Sequence, residues 1–145
     1  MADTPRHSVS VAAAIVRDDG RVLAIRRRDN GRWEPPGGIL ELNETIEDGL
    51  KREVHEETGL DVEIDRLTGV YKNMTQRIVA LVFRCHIVNG TPQATAETSE
   101  AAWLTPVEVR ERMTDAFAVR LLDALNNVNS RPVLRNHDGV RILSN

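Results

Sequence analysis

The sequence predicts an α/β fold, an α/β/α sandwich around a mixed β-sheet, from the order of its secondary-structure signals. Segments with strand patterning precede and follow one amphipathic helix, and a second helical pattern comes late in the chain. Strands and helices in this order are typical of a sheet covered by helices. The 145 residues, 41 % of them apolar, suit one domain with its own core. We therefore expect a single domain over residues 1–145, with residues 1–7 as a polar, disordered tail.

The first half of the chain carries two strand signals before the helix. Residues 8–16 are rich in Val and Ala, and Asp18-Asp19-Gly20-Arg21 predicts a hairpin turn. Residues 22–27 are the predicted return strand. The loop Trp33-Glu34-Pro35-Pro36-Gly37-Gly38 follows, in which the prolines stiffen the backbone and the glycines permit close approach.

A helix of three to four turns is predicted next. Thr45 is its expected N-cap, with acidic residues in the first turn, and Gly59 is its expected C-cap. Ile46, Leu50 and Val54 recur every four residues, so this stripe should pack inward.

The second half of the chain is predicted to alternate again. Residues 60–71 are extended, and residues 76–88 give the strongest strand signal because Val79, Leu81, Phe83, Cys85 and Ile87 share one face. A short strand at 102–104 leads to a helix start at Thr105-Pro106 and a helix over 116–125. Residues 133–134 and 140–143, around Asn136-His137-Asp138-Gly139, predict a terminal hairpin.

Three glutamates on the first helix lie beside the apolar stripe. Glu53, Glu56 and Glu57 stand at positions i, i+3 and i+4, which places them on one helix face. A solvated acidic face is the plain interpretation of such a cluster. However, like charges at this spacing repel, and the carboxyl end of a helix disfavours anions. A hard cation such as Mg²⁺ or Mn²⁺ would relieve both effects, so we favour a metal site.

Two neighbours of these glutamates support the same interpretation. Arg52 can hold an adjacent carboxylate in place, as partners of metal ligands do. Gly49, one turn earlier, is expected to leave open space in front of the carboxylates.

The segment from Gly38 to Leu60 resembles the complete Nudix box, the signature of hydrolases that cleave nucleoside diphosphates linked to another group. Gly38 is followed after five residues by Glu44 and after seven more by Arg52-Glu53-Val54-His55-Glu56-Glu57-Thr58-Gly59-Leu60. The resemblance implies the same sandwich fold and a Mg²⁺-dependent pyrophosphohydrolase. It also implies metal ligands at Glu53, Glu56, Glu57 and the Gly38 carbonyl, with Glu44 stabilising the junction between loop and helix.

The resemblance also implies a further carboxylate downstream, as a metal ligand or general base. Glu97 matches best by position and Glu100 second, whereas two solvated loop carboxylates are the alternative. Glu53 is the other candidate base, so the catalytic set comprises Glu53, Glu57 and Glu97.

Substrate contacts are predicted in the loop region. One of Arg26, Arg27 and Arg28, with Arg27 favoured, can reach phosphates through its guanidinium, although solvated surface arginines are the alternative. Trp33 either stacks on a base or covers the core edge. Trp103 should pack at a strand end, His55 should be exposed, and His137-Asp138 should form a turn.

The resemblance leaves the substrate open among nucleoside triphosphates, nucleotide sugars and ADP-ribose. The loop at Trp33 resembles that of MutT-type enzymes, and residues 75–77, Thr-Gln-Arg, lack the subclass markers for ADP-ribose and dinucleoside polyphosphates. A non-catalytic nucleotide sensor is the main alternative. An isoprenoid diphosphate isomerase is a third, but it needs a catalytic cysteine, and Cys85 is expected to be a buried hydrophobe.

Composition limits the partners. The net charge of −3 gives no basic footprint for nucleic acid, and no apolar run has the length of a membrane span. A single cysteine excludes a disulfide framework, and residues 1–7 lack a signal peptide's apolar region. We expect a cytoplasmic protein with a small nucleotide or diphosphate substrate; its oligomeric state, a homodimer included, is left open.

Overall fold

The computed structural model describes residues 3–126 and 131–143, and it builds them into strands and helices in the predicted order. In chain order these elements are β1 (Ser8–Ile15), β2 (Val22–Arg27), β3 (Trp33–Glu34), β4 (Gly37–Ile39), α1 (Ile46–Thr58), β5 (Asp61–Asn73), β6 (Ile78–Asn89), β7 (Thr98–Leu104), α2 (Pro106–Arg112), α3 (Asp115–Leu125) and β8 (Val133–His137).

The strands form two sheets. The larger has the order β4-β1-β6-β5-β8, in which β1/β6 and β5/β8 are parallel and the other pairs antiparallel. The smaller, β3-β2-β7, is antiparallel. The predicted α/β class with a mixed sheet is therefore confirmed.

Helices cover both faces of the larger sheet because its strands are apolar on both sides. On β1, Val11 and Ala13 face the core under Leu50 and Val54 of α1. The alternate residues of β1 belong to a second core with α2 and α3, whose buried members include Ala12, Ala14, Val109, Leu121 and Ala124. Two cores on opposite faces of one sheet produce the predicted sandwich.

Helix α1 has both predicted caps. The Thr45 side chain accepts a hydrogen bond from the Asp48 N–H at 3.1 Å, and Gly59 adopts φ +77° while its N–H donates to the His55 carbonyl. The predicted inward stripe is wrong at Ile46, which is 37 % exposed, because this first helical residue lies at the rim of the core. Burial begins one turn later, at Gly49 and Leu50.

Gly49 does not leave open space before the carboxylates, and that prediction is wrong. A Cβ at Gly49 would contact Leu40 Cδ1 and would lie 2.8 Å from Glu44 Oε1. The missing side chain instead lets the segment before α1 pack against the helix.

The predicted hairpin between the first two strands is confined to its turn. The Arg17 N–H donates to the Arg21 carbonyl at 2.8 Å and one antiparallel bridge joins Val16 and Val22, but β1 and β2 then continue in different sheets. β2 pairs instead with β3 and β7, so the loop around Trp33 contributes two short strands where the sequence predicted none. β7 likewise begins at Thr98, four residues before the predicted strand.

The terminal hairpin is also reduced to one bridge, between His137 and Ile142. The backbone of β8 is used in its parallel pairing with β5, from Gly69 opposite Val133 to Asn73 opposite His137.

None of the helices within the described ranges is long and apolar enough to span a membrane. Of the predicted tail, residues 1–2 lie outside the described residues, and residues 3–7 form neither helix nor strand. The single domain over 1–145 stays a prediction.

The contact at Gly49 reverses the usual effect of glycine replacement in a helix. Gly→Ala normally stabilises a helix by about 1 kcal/mol. Here we expect Gly49→Ala to lower the free energy of unfolding by about 1–3 kcal/mol, because the added methyl overpacks against Leu40 and Glu44. Urea unfolding measures the change. The control Glu47→Ala, at an exposed position of the same helix, should shift it by about 0.5 kcal/mol or less. A more stable Gly49→Ala protein would contradict the packing.

Candidate functional site

Three carboxylates from two parts of the chain converge at one end of the smaller sheet. Glu53 and Glu57 are one turn apart on α1, and Glu97 comes from the loop before β7. One carboxylate oxygen from each lies within 4.8 Å of the other two. The Glu97 carbonyl accepts a hydrogen bond from the Arg28 N–H at 3.0 Å, which attaches this loop to the end of β2. Glu100, the second choice, lies outside this cluster, on β7 opposite Arg26.

Glu57 is the buried member of this carboxylate cluster (Glu53, Glu57 and Glu97). Its side chain is 4 % exposed, and Oε1 accepts a 2.6 Å hydrogen bond from the Gly37 N–H. Burial raises the pKa of Glu57 to about 8; the Gly37 N–H opposes this rise only in part, and repulsion by the Glu53 and Glu97 carboxylates adds to it. Burial also raises the pKa of Glu53, and Arg52 opposes that rise.

Arg52 holds one side of the cluster in place. Its guanidinium donates to both oxygens of Glu44, at 2.8 and 2.6 Å, and to Glu53 Oε1 at 3.0 Å. The hydrogen bond from Arg52 lowers the pKa of Glu44 to about 2. Glu44 also accepts from the Glu41 N–H at 2.9 Å, so the pair joins the loop to α1. Glu56 is 45 % exposed; it contacts Arg52 at 3.3 Å and lies outside the cluster.

Gly37 and Gly38 of β4 present different backbone groups to these carboxylates. The Pro36 carbonyl accepts from the Ala13 N–H, and the Leu40 N–H donates to the Val9 carbonyl, each at 2.8 Å. In an antiparallel pair, every second residue of a strand directs its N–H and carbonyl toward the neighbouring strand. Gly38 lies midway between Pro36 and Leu40 and opposite Val11, so its N–H and carbonyl also face β1.

The backbone of Gly37 points the other way, toward Glu57, as its N–H shows. The carbonyl on the carboxylate side is therefore that of Gly37, one residue before the predicted Gly38. Gly38 contacts the cluster differently, because a Cβ there would lie 2.5 Å from the Glu53 carboxylate.

A cleft of about 410 Å³ opens over the cluster, and two arginines line it. The lining residues of this carboxylate cleft are Arg27, Arg28, Asp29, Glu57, Ala96 and Glu97. Arg27 is held by Asp29 through hydrogen bonds of 2.9 and 2.6 Å, with Glu34 at 3.5 Å. Arg28 donates from Nε to the Thr95 carbonyl at 2.8 Å. Both cations therefore stand where anionic groups of a ligand would approach the carboxylates.

A second cleft, of about 190 Å³, adjoins the first at Arg27. This inner cleft is lined on its polar side by Arg27, Glu34, Asn73 and Arg120, and Phe117 and Gly38 also border it. Neither Glu34 nor Arg120 was predicted from the sequence as a site residue. A signal existed for Arg120, since it continues the buried i, i+4 stripe of Ala116 and Ala124 on α3.

The remaining predicted residues take structural positions. Trp33 packs against the core under α2, with the Arg112 guanidinium 5.3 Å from its ring centroid, so it lies at the core edge. Trp103 likewise packs at the end of β7, and His55 is exposed beside Asp61. Asp138 forms the predicted turn by accepting from the Val140 and Arg141 N–H groups, whereas His137 is fully buried.

Cys85 is buried on β6, as expected of a small hydrophobe, and burial raises the pKa of its thiol to about 12. It does not line either of the two clefts among the described residues. A thiol in this state is a poor nucleophile or acid.

Comparisons with known proteins agree on one family. The family model described as NUDIX domain matches residues 6–125. A MutT-like protein of Streptomyces ambofaciens is 58 % identical over 139 residues, which are 96 % of this chain and 89 % of that protein. A protein of Mycobacterium tuberculosis named putative 8-oxo-dGTP diphosphatase 2 is 34 % identical over 114 residues, 72 % of this chain and 78 % of that one. An ADP-ribose pyrophosphatase structure from Streptococcus suis superposes with a TM-score of 0.77 at 24 % identity, covering 89 % of this chain and 99 % of that one.

The raised pKa of Glu57 predicts how stability depends on pH without metal. A carboxyl with a folded pKa of about 8, against about 4.3 unfolded, stabilises the fold fully below the unfolded value. That contribution falls as pH rises through 8. We expect the free energy of unfolding in EDTA to drop by up to about 4 kcal/mol between pH 5 and pH 8. In Glu57→Gln much of this dependence of stability on pH should disappear, whereas the control Glu47→Gln should retain it. Urea unfolding at three pH values measures the free energy of unfolding. An equal dependence on pH in the wild type and both variants would contradict a raised pKa at Glu57.

Replacement of Gly37 and of Gly38 by alanine should have different effects. In Gly37→Ala the added Cβ meets backbone atoms, Val11 O and Ala12 Cα, which cannot move aside. We expect a loss of about 1–3 kcal/mol of stability. In Gly38→Ala it meets the Glu53 side chain, which can rotate away. That variant should keep more of its stability but lose affinity for divalent cations. Urea unfolding and Mn²⁺ titration by electron paramagnetic resonance separate the two effects, and unchanged Mn²⁺ affinity in Gly38→Ala would contradict the assigned contact.

Proposed function

This chain belongs to the NUDIX family and is a hydrolase of phosphoric anhydrides; we propose that it is a Mg²⁺-dependent pyrophosphohydrolase of a nucleoside diphosphate derivative. The observation that carries the proposal is the convergence of Glu53, Glu57 and Glu97 beneath a cleft lined by Arg27 and Arg28. Carboxylates attract a cation and guanidinium groups attract phosphate, so this arrangement suits a metal–diphosphate substrate.

The side chains fit a hard divalent cation. Glu53, Glu57 and Glu97 supply oxygen ligands, and the Gly37 carbonyl lies on the same side. Glu57 has no cationic partner within salt-bridge distance among the described residues, although it is buried. Mg²⁺, or Mn²⁺ in its place, supplies charge neutralisation of the diphosphate oxygens and orientation of the phosphorus when it is bound. Glu56 contacts Arg52 at 3.3 Å and lies outside the cluster, so we propose it as a partner of Arg52 rather than as a metal ligand.

The residues around the cluster have separate roles in hydrolysis. Arg52 and Glu44 fix the Glu53 carboxylate, and the Gly37 N–H fixes Glu57. Arg27 and Arg28 bind the phosphate oxygens and position the phosphorus for in-line attack. A water loses its proton to a carboxylate as its oxygen attacks phosphorus, and the bridging oxygen leaves with its electron pair.

Glu53 is the favoured proton acceptor in this step. Burial raises its pKa above that of an ordinary glutamate, which makes its carboxylate a stronger base. The pKa of Glu57 is also raised, but that carboxylate is more deeply buried and is held by the Gly37 N–H, so it is less accessible to a water. Glu97 is exposed and reaches the cluster from a loop, which suits a ligand that closes over the bound substrate.

The names of the relatives, rather than the geometry of the carboxylate cluster, bear on the class of substrate. The relative with high identity is named MutT-like, and another is named a putative 8-oxo-dGTP diphosphatase. The second name supports a nucleoside triphosphate. ADP-ribose stays on the panel, because it appears in the name of a Methanocaldococcus jannaschii pyrophosphatase that is 31 % identical over 102 residues and in the name of a structure that shows the fold alone. A nucleotide sugar remains the third member of the panel to be tested. A cytoplasmic location, the absence of a nucleic-acid partner and a homodimer stay predictions.

A substrate panel with Mg²⁺ tests the proposal. Nucleoside triphosphates, ADP-ribose, nucleotide sugars and dinucleoside polyphosphates are incubated with the wild type, Glu57→Gln and the control Glu47→Gln. We expect turnover of one class, a loss of about 10²-fold or more in Glu57→Gln, and activity within about two-fold in the control. The products are identified by phosphorus NMR in ¹⁸O-labelled water.

Two outcomes would overturn it. Turnover that survives EDTA and Glu57→Gln would place the chemistry elsewhere. Absence of turnover, with a nucleotide still raising the melting temperature, would indicate a nucleotide sensor on the same fold.

A further inference from the structure

Arg120 is a buried cation that the proposed hydrolysis does not use. It is 7 % exposed on α3, between the rings of Phe117 and Tyr71, whose centroids lie 4.7 and 5.6 Å from its Cζ. Within the described ranges, no carboxylate lies within 4.0 Å of its guanidinium and its Nε has no hydrogen-bond partner. The ring faces compensate part of the charge, but they do not accept the in-plane hydrogen bonds of a guanidinium.

The contact between Arg120 and His137 does not supply the missing acceptor. Arg120 Nη2 lies 3.3 Å from His137 Nε2, while His137 Nδ1 accepts the Gly139 N–H at 2.9 Å. A neutral imidazole has one acceptor nitrogen, so Nε2 carries the proton and opposes the guanidinium. Burial and the charge of Arg120 lower the pKa of His137, which keeps the ring neutral. Arg120 is therefore a donor without a strong acceptor.

The inner cleft places an anionic acceptor in the same cavity as this donor. Glu34 lines the cleft with its side chain 18 % exposed, and its nearest cation is Arg27 at 3.5 Å. The remaining walls combine apolar side chains with neutral polar ones; the apolar group includes Val11, Ala12, Pro35, Ile78 and Phe117, and the polar group is Ser10, Asn73 and Gln76. A cavity with apolar walls, cationic donors and one anionic acceptor suits a flat heterocycle that carries both acceptors and donors.

We propose that the inner cleft is a nucleobase subsite in which Arg120 and Glu34 select a guanine-type purine, an inference that rests on the proposed function. Guanidinium groups donate to the O6 and N7 acceptors of guanine, whereas adenine presents an amino donor at position 6. The N1–H and 2-amino groups of guanine are donors, and a carboxylate such as Glu34 accepts from them. Adenine keeps the N7 acceptor but has an amino group in place of O6, and it has neither the N1–H nor the 2-amino donor, so it makes fewer hydrogen bonds with both residues.

The position of this subsite allows one nucleotide to occupy both clefts at once. Arg27 lines both clefts, so a nucleotide with its base in the inner cleft extends its phosphates past Arg27 toward the carboxylate cluster. Gly38 borders the inner cleft and also lies against Glu53, so the inner cleft adjoins the carboxylate cluster. A volume of about 190 Å³ accommodates a base but leaves the phosphates outside.

NMR titration of the metal-free protein with GMP, IMP, AMP and CMP tests the subsite without catalysis. We expect the Kd for GMP to be at least about ten-fold below that for AMP, with IMP between them because it lacks the 2-amino group. Glu34→Gln should raise the Kd for GMP about ten-fold and that for AMP less than two-fold. Arg120→Lys keeps a cation but loses the planar fork, so it should also reduce the ratio between AMP and GMP. The control Arg110→Gln, exposed on α2, should change neither value.

Three results would overturn the assignment. Equal affinity for GMP and AMP in the wild type is one, and an equal loss for both in Glu34→Gln is another. Tighter binding of ADP-ribose than of GMP, lost in Arg120→Lys, would assign Arg120 to an acidic group of the ligand instead. Circular dichroism of Arg120→Lys checks its fold, and Glu34→Gln tests the proposal independently of it.

Hydrolysis assays then separate this inference from the proposed function. Equal kcat/KM for dGTP and dATP with Mg²⁺ would retain the pyrophosphohydrolase and remove the base selectivity. Selective binding of GMP without turnover of any panel member would retain the subsite and remove the hydrolase proposal.

Discussion

The 2.6 Å hydrogen bond between the Gly37 N–H and Glu57 joins the strand β4 to the helix α1, and the site depends on it. Burial and the carboxylates of Glu53 and Glu97 favour the protonated form of Glu57, and the Gly37 N–H stabilises its negative charge against them. The bond also fixes the direction of the strand. Since the Gly37 N–H faces the helix, so does its carbonyl, and the Gly38 backbone faces β1.

The glycines near the site are required by close packing rather than by unusual backbone angles. Gly37 lies against the β1 backbone, Gly38 against the Glu53 carboxylate, and Gly49 against Leu40 and Glu44. Each permits an approach that a Cβ would prevent. Together with the Arg52–Glu44 pair, they bring loop and helix close enough for the carboxylate cluster to form.

The sequence predicted the helix, its caps and its acidic face because these features depend on residues close together in the chain. Thr45 and Gly59 are local signals, and the spacing of Glu53 and Glu57 fixes their common face. The hairpin of β1 with β2 is limited to its turn because strand pairing is decided by distant residues: β2 pairs with β7, more than seventy positions later. The carbonyl on the carboxylate side belongs to Gly37 rather than to Gly38 for the same reason, since the alternation on β4 is set by its register with β1.

Glu34 and Arg120 were missed because the cleft that they share joins two distant parts of the chain. Their relation appears only when β3 and α3 border one cleft. The arginines that line the clefts or hold the cluster differ in whether they are paired with a carboxylate, and this difference indicates their roles. Arg27 and Arg52 are paired with carboxylates, and pairing fixes their positions at the cost of part of their affinity for other anions. Arg120 is buried without such a pair, which is unfavourable in the free protein. A ligand that supplies the missing acceptor gains that energy on binding, so the arginine that is least satisfied is the one best suited to distinguish one base from another.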